Sequence, residues 1–277
     1  SQELSVSEST AEYAKAEYLI EVLKATKCFG AFDDASGDVA PGFSPASVAF
    51  EDRTDTVYDI SVGYDLAGIR SDKVTGFLRA MRNPVPHFEE LRRQLTGDLQ
   101  EFRELELPPS ISNCVTLSTF HGCPAHEIEA IVRYLLEKLG LHVIIKFNPT
   151  LLGFEAVCKL LIDKLGYHHL ALCREAFEQD LKYHDALEML RRLRRVAENR
   201  GVTVGAKFTN TLVVANNPEF FPTHADPYMY LSGQPLHVIA MHLMQRFRED
   251  LGFEFPVSFS AGIERKNFPA AVACGMV

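Results

Sequence analysis

The chain has 277 residues, of which 47% are hydrophobic and 23% are charged, which is enough apolar surface for a globular core. A formal net charge of −9 argues against nonspecific nucleic-acid binding, because such binding needs a basic surface. No apolar run in the sequence reaches the roughly 18 residues of a membrane span. The N-terminal stretch SQELSVSESTAEYAKAEYL lacks the basic and apolar regions of a secretory signal.

The cysteines predict a reducing compartment. None of the six forms a CxxC pair, and a disulfide framework is uncommon in a chain of this size. The sequence shows no ligand set for structural zinc or an iron–sulfur cluster, so no metal site is predicted within it. We therefore expect a cytoplasmic protein in which all cysteines stay reduced. The six are Cys28, Cys114, Cys123, Cys158, Cys173 and Cys274.

In chain order, the hydrophobic pattern predicts an amphipathic helix over residues 9–26 and then a loop rich in Gly, Pro, Ser and Asp over residues 30–53. Beyond this point strands and helices alternate. Helices are predicted at 124–139, 183–199 and 237–248, the first begun by Pro124 and ended by Gly140. Strands are predicted at 57–64, 113–118, 142–148, 168–172, 202–209 and 255–260.

This alternation of apolar strands and amphipathic helices predicts a parallel sheet covered by helices. An open doubly wound sheet and a closed barrel both fit the pattern, but no GxGxxG follows a strand, so the dinucleotide-binding fingerprint is missing. We expect an α/β fold of the TIM-type (β/α) barrel class. Residues 1–277 would form one partial barrel domain, with residues 1–53 as a helix and loop packed on it.

Two strand ends share one sequence pattern, in which a lysine within an apolar strand is followed by an asparagine. Lys146 precedes Asn148, and Lys207 precedes Asn210. Buried lysine is costly unless it meets an anion or is neutralised, so both lysines are predicted to face the barrel mouth. The alternative for each is that its ammonium group reaches solvent or pairs with a carboxylate.

Two further loop types are candidates for the site. The turns Ser232-Gly233 and Ser260-Ala261-Gly262 could bring backbone N–H groups close to a phosphate. The loop after the strand at 113–118 carries Thr119, His121 and Cys123, which are candidate acid–base groups. Cys123 lies just before a helix, whose dipole would favour its thiolate, although an inert capping thiol is the competing interpretation.

The run TLSTFHGCPAHEIEAIVRYLLEKLGLHVIIKFNPTLLG (116–153) resembles the selenate reductase flavoproteins of enteric bacteria, which are large FMN, FAD and iron–sulfur oxidoreductases. Further matching runs are ISVGYDLAGI (60–69), KFTNTL (207–212), YLSGQPL (230–236) and SFSAGI (258–263). The barrel of this family is similar to those of dihydropyrimidine and dihydroorotate dehydrogenases. The resemblance implies a barrel that binds FMN, with FAD, NAD(P)H and iron–sulfur clusters held by other modules.

The resemblance also implies roles for individual residues. Lys146 matches the lysine that contacts the flavin, and residues 209–211 match a Thr-Asn-Thr run beside the flavin and substrate. The turns Ser232-Gly233 and Ala261-Gly262 match those that hold the FMN phosphate. Where the dehydrogenases have a proton-donating cysteine this chain has Thr119, and Cys123 lies four residues later, so Cys123, Thr119 and His121 all remain candidates for the proton donor.

The barrel of this family has strands that would come before residue 1 of this chain and a strand that would come after residue 277. From this we expect an incomplete barrel that binds FMN weakly. The function implied is reduction of a small oxidised or unsaturated molecule, with electrons relayed from NAD(P)H by partner modules. Two alternatives stay open, a Schiff-base lyase of the aldolase type that uses Lys146 or Lys207, and a non-catalytic scaffold.

Overall fold

The structure is a computed structural model, and it describes residues 4–26, 58, 60–216 and 227–275. The predicted loop at 30–53 and residues Cys28 and Ser1 lie outside the described residues. The chain divides into two compact units. The first comprises Ser1–Asp59 and Arg70–Asn113, and the second comprises Ile60–Ile69 and Cys114–Val277.

In the first unit, helices pack around one another. Helix α1 (Val6–Ala25) begins at a capping box in which Ser5 and Glu8 exchange side-chain and backbone hydrogen bonds. It packs against α3 (Asp72–Arg82) and α4 (Val85–Gln94), and a 3₁₀ segment, Gly97–Glu104, follows. The buried phenol of Tyr18 donates to the carbonyl of Phe102 at 2.7 Å, which ties α1 to this segment. The predicted helix at 9–26 is confirmed.

The second unit is built on five parallel strands in the order β1-β2-β3-β4-β7. The strands are β1 (Ile60–Val62), β2 (Cys114–Ser118), β3 (His142–Phe147), β4 (Val204–Phe208) and β7 (Val257–Phe259). An antiparallel hairpin of β5 (Leu212–Ala215) and β6 (Tyr228–Leu231) follows β4 in the chain. The five-stranded sheet follows the predicted alternation, and the hairpin was not predicted.

Helices connect these strands: α2 (Leu66–Arg70), α5 (Ala125–Lys138), α6 (Phe154–Cys158), a π-helical turn (Lys159–Lys164), α7 (Arg174–Gln179), α8 (Tyr183–Arg200), α9 (His237–Leu251) and α10 (Phe268–Ala273). Short 3₁₀ segments lie at Pro149–Leu152 and Gln234–Leu236. Three of the helices confirm predictions at 124–139, 183–199 and 237–248. Pro124 is the N-cap of α5 rather than its first residue.

One predicted strand is wrong. Residues 168–172 form turns and a single antiparallel bridge from Leu172 to Val214 on β5. The π-helical turn before this segment and α7 directly after it leave too few extended residues for a ladder. The sheet therefore has no extra strand between β3 and β4, which are direct neighbours.

The two faces of the sheet differ in burial. On β3, Val143, Ile145 and Phe147 are at most 1% exposed, whereas Ile144 and Lys146 are half-buried. The ring of Phe147 lies 5.8 Å from that of Phe247 on α9, so the buried set faces the helix layer. Since side chains alternate along a strand, the half-buried set lies on the opposite face. The backbones of β4 and of the residue before β7 come close together, since a Cβ on Gly205 would lie 2.8 Å from the carbonyl oxygen of Pro256.

Candidate active site

Both strand lysines lie in one row across the sheet. The register pairs Ser118 with Lys146, Lys146 with Lys207, and Lys207 with Ser258 on four neighbouring parallel strands. All four residues are half-buried and lie at the carboxyl ends of their strands. The two lysines lie at the same end of neighbouring strands, as predicted, whereas the predicted burial is not observed, since each side chain is half-buried. Because both side chains are only half-buried, the lysines avoid the full cost of desolvation.

Asn210 joins the loops that follow β2, β3 and β4. Its backbone N–H donates to the carbonyl of Phe147 at 2.8 Å. Its side-chain amide donates to the carbonyl of Thr119 at 2.6 Å and to Oδ1 of Asn148 at 3.1 Å. Asn148 is 9% exposed, so an unpaired amide oxygen there would be costly. The structure therefore brings together Thr119, Asn148 and Asn210, all expected at the site.

A buried carboxylate, Asp180, links the same loops. Its side chain is 2% exposed and accepts hydrogen bonds from Nδ1 of His121 at 2.7 Å and from Oγ1 of Thr150 at 2.6 Å. It also accepts from the backbone N–H of Gly122 at 2.6 Å and from Nδ2 of Asn148 at 3.2 Å. Burial favours the neutral acid, but the donors, led by His121, outweigh it and hold the pKa of Asp180 below its usual value.

His121 is held on both sides of its ring. Nδ1 faces Asp180, and Nε2 lies 3.1 Å from the carbonyl oxygen of Thr211. Tyr230 of the hairpin stacks on the imidazole with ring centroids 6.3 Å apart. Burial opposes the charged imidazolium, but the hydrogen bond and charge of Asp180 outweigh it and raise the pKa of His121. His121 is therefore held in place by hydrogen-bond partners at both ring nitrogens.

Cys123 does not have the properties of a reactive thiolate. It is 3% exposed, and burial, assisted by the charges of Glu127 and Asp180, raises the pKa of its thiol to about 11. The expectation that the helix dipole favours a thiolate here is wrong, because desolvation dominates. Cys123 and Thr119 line a cavity of about 10 Å³, close to the size that holds one water molecule. Oγ1 of Thr119 donates to the carbonyl of Lys146 at 2.9 Å.

The two glycine turns pack closely. Gly262 has a φ of +67°, and a Cβ there would lie 2.7 Å from Cβ of His237 at the start of α9. Gln234, which follows Gly233, donates to Glu264 at 3.1 Å across the same contact. Ser232 and Gly233 are exposed, whereas Ala261 is buried. The structure thus places the predicted phosphate turns side by side.

The end of β7 is tied to the end of β4. The backbone N–H of Ser260 donates to the carbonyl of Phe208 at 2.8 Å, and Oγ of Ser260 donates to the carbonyl of Thr209 at 2.7 Å. The hydroxyl of Thr209 is buried and has no hydrogen-bond partner within the described part of the protein. Such a group is costly unless something outside the chain satisfies it.

Sequence reasoning missed Asp180, Thr150 and Gly122. Asp180 lies between α7 and α8, in the run EQDLKYH, which has the composition of a solvated linker. Its partners are 30 to 59 residues away in the chain, so no local pattern signals the contact. A buried acidic residue that follows a short helix carries no sequence signature of its own.

Neither a metal-binding cluster nor a membrane-spanning helix occurs in the part of the chain that the structure describes. Within residues 4–26, 58, 60–216 and 227–275, no three His, Cys, Asp or Glu side chains are grouped closely enough to hold a metal ion. Over the same ranges, no helix has the length and apolar character required to cross a membrane.

Comparison with known proteins agrees with the fold. A family model described as "Oxidoreductase YgfK, N-terminal TIM-barrel domain" matches residues 1–277. Two relatives named "Putative oxidoreductase YgfK", from Escherichia coli strain K12 and Escherichia coli O157:H7, are each 37% identical to the chain. Each alignment covers 74% of this chain and 21% of the relative, so the match spans about a fifth of the relatives' length. The chain belongs to the family of N-terminal TIM-barrel domains of the oxidoreductase YgfK.

Proposed function

We propose that this chain holds FMN against the half-buried face of its sheet and serves as the flavin barrel of an oxidoreductase. The observation that carries the proposal is the row of Ser118, Lys146, Lys207 and Ser258, which gathers two cations and two hydroxyls at one end of four parallel strands. Barrel enzymes keep their active sites at this end. Bound FMN would supply hydride and electron transfer.

The residues present fit such a group. In this proposal the lysines offset negative charge on the flavin ring, with Lys146 nearest to it, because a positive charge in a partly dry site stabilises developing negative charge strongly. Thr209 offers a buried hydroxyl that no described residue satisfies. The paired turns at Gly233 and Gly262 are the candidates for the phosphate, since small residues let backbone N–H groups approach it. Asn148 and Asn210 hold the loops around these groups.

Proton delivery falls to the loop after β2. The Cys123 thiol keeps its proton at neutral pH, and it shares a cavity with Thr119 that accepts about one water. We therefore propose Cys123, with Thr119 beside it, as the group that supplies a proton to the substrate. His121 is assigned to holding this loop, because both of its ring nitrogens face protein acceptors.

The proposal for the wider role rests on the resemblance described in the sequence analysis. We propose that electrons come from NAD(P)H through FAD and iron–sulfur modules, and that the substrate is a small oxidised or unsaturated molecule, of which selenate is one example. Such a protein would work in the cytoplasm. In this proposal the modules belong to other parts of a longer protein, since the alignment spans only 21% of the relatives' length.

A comparison of two flavins tests the proposal. The purified chain is titrated with FMN and, separately, with riboflavin, and binding is followed by quenching of flavin fluorescence. FMN is expected to bind more tightly, because only FMN has the phosphate that the two turns would hold. Absence of saturable FMN binding up to millimolar concentration contradicts the proposal.

A second candidate, a Schiff-base lyase, is favoured by one observation. Lys146 and Lys207 are register neighbours, and a nearby cation is one way to activate a lysine nucleophile. Borohydride reduction in the presence of a small aldehyde, followed by peptide mapping, separates the two. The flavin proposal predicts no selective adduct at either lysine, and stoichiometric trapping at one of them supports the lyase.

A further inference from the structure

The ring nitrogens of His121 face two groups that can only accept hydrogen bonds. One is the Asp180 carboxylate, 2.7 Å from Nδ1, and the other is the carbonyl oxygen of Thr211, 3.1 Å from Nε2. A neutral imidazole has one N–H and could satisfy only one of these acceptors. An imidazolium has two and satisfies both. The geometry therefore specifies the protonated ring.

The hydrogen bonds around Asp180 also specify its charge state. Oδ2 of Asp180 accepts hydrogen bonds from the side chains of His121, Thr150 and Asn148, and Oδ1 accepts one from the backbone N–H of Gly122. Four donors converge on one carboxyl group that is 2% exposed. A protonated acid would have to turn one hydroxyl toward these donors, so the site selects the anion.

We infer that Asp180 is a positioning residue that holds His121 as an imidazolium, and that this ion pair fixes the three loops after β2, β3 and β4 in one arrangement. His121 and Gly122 belong to the first loop, Thr150 to the second, and Thr211 to the third. The pair thus sets the position of Cys123 and Thr119 without itself contacting a substrate. The charge state stands on geometry alone, whereas its use in positioning a proton donor rests on the proposed function.

Other groups also face the pair. From the start of α5, the Cys123 thiol interacts with the charge of Asp180, and that charge contributes to keeping the thiol protonated. From β6, the Tyr230 ring stacks on His121 at 28° between ring planes. This ring contact limits the orientations open to the imidazole.

The test is a histidine titration by NMR. Chain labelled with ¹⁵N-histidine is examined by long-range ¹H–¹⁵N correlation from pH 5 to 9, and the His121 signal is the one lost in His121→Gln. In the wild type we expect both ring nitrogens to stay protonated above pH 6.5, the usual pKa of histidine. A wild-type ring that is neutral at pH 6.5, or that titrates below it, overturns the inference.

Two variants separate charge from packing. Asp180→Asn keeps the shape but removes the anion, and we expect His121 to become neutral with its proton on Nε2, where Thr211 still accepts it. Thr150→Val removes one hydrogen bond from the same carboxylate and leaves the charge, so His121 should remain an imidazolium. An unchanged midpoint in Asp180→Asn contradicts the inference. If that variant does not fold, the wild-type titration and Thr150→Val decide.

This outcome is independent of the flavin titration. A chain that fails to bind FMN but shows a charged His121 refutes the proposed function and leaves the ion pair standing. A chain that binds FMN with a neutral His121 refutes only the inference about Asp180.

Discussion

Reversing the polarity of the Asn210 amide gives a sharp test of the loop arrangement. Its Nδ2 donates to the carbonyl of Thr119 at 2.6 Å and to Oδ1 of Asn148 at 3.1 Å. Asn210→Ala removes both bonds, each worth about 1 kcal/mol net, together with a longer and weaker one to the carbonyl of Lys146 at 3.3 Å, and it leaves part-buried acceptors unsatisfied. We expect a loss of about 2–3 kcal/mol, which corresponds to roughly 5–10 °C in a chain of this size.

Asn210→Asp should cost more than Asn210→Ala. The substitution keeps the volume but places a carboxylate oxygen where the amide nitrogen lies, against two oxygens that cannot donate. Its deficit should shrink as pH falls from 7 toward about 4, because the surrounding acceptors raise the pKa of the new acid and the protonated acid can donate again.

Urea midpoints of the two variants at pH 7 and pH 4 provide the measurement. Asn113→Asp is the matched control, because Asn113 is exposed and lies outside helices and strands, so its effect should stay within about 0.5 kcal/mol. If Asn210→Asp is as stable as Asn210→Ala, or more stable, the amide does not join these loops as described.

Three further predictions concern titratable groups. The Asp180–His121 pair should add stability that is lost as pH falls from 3.8 through the lowered pKa of Asp180, and also as pH rises from 6.5 through the raised pKa of His121. Urea midpoints measured from pH 3 to 9 should therefore be highest between these two limits in the wild type. A wild type without this stability maximum, or an Asp180→Asn variant that keeps it, would refute the prediction. Burial, with help from the charge of Glu21, raises the pKa of Glu17 on α1, so stability should fall as pH rises from 4.5 through this raised pKa. Glu17→Gln should therefore raise the urea midpoint at pH 7, and a lower midpoint would contradict this prediction. Cys123, being buried and protonated, should react with iodoacetamide at pH 7.5 far more slowly than the half-buried Cys274, as measured by peptide mass spectrometry, and equal rates would exclude its burial.

Local sequence patterns predicted most of the sheet and its helix layer. Alternation on β3 and the apolar stripe on α5 are local signals, and the structure places both where they indicate. The segment at 168–172 was wrongly predicted as a strand because a short apolar run fits a strand as well as a packed connection. The hairpin of β5 and β6 was missed because its strands have only four residues each and no tight turn of two to five residues joins them.

The site was predicted only in part, and for a physical reason. Lys146 and Lys207 could be matched because both follow the same local pattern, and parallel strands bring such positions to one edge. The charge state of His121 depends on Asp180, which is 59 residues away, and the pKa of Cys123 depends on its burial. Burial and long-range hydrogen bonds arise only when the chain is folded, so the sequence left three proton-donor candidates equal.

The central claim is that Lys146 holds a flavin at the sheet face, and paired lysine substitutions test it most directly. FMN affinity is measured by fluorescence titration for the wild type, for Lys146→Met and for Lys138→Met, the same change at an exposed position on α5. Methionine retains most of the stem volume and removes the charge, so the melting temperature should change little in either variant. We predict at least a tenfold weaker FMN affinity, about 1.4 kcal/mol, for Lys146→Met and no change for Lys138→Met. Equal affinity in all three proteins, or no saturable binding by the wild type, would contradict the account.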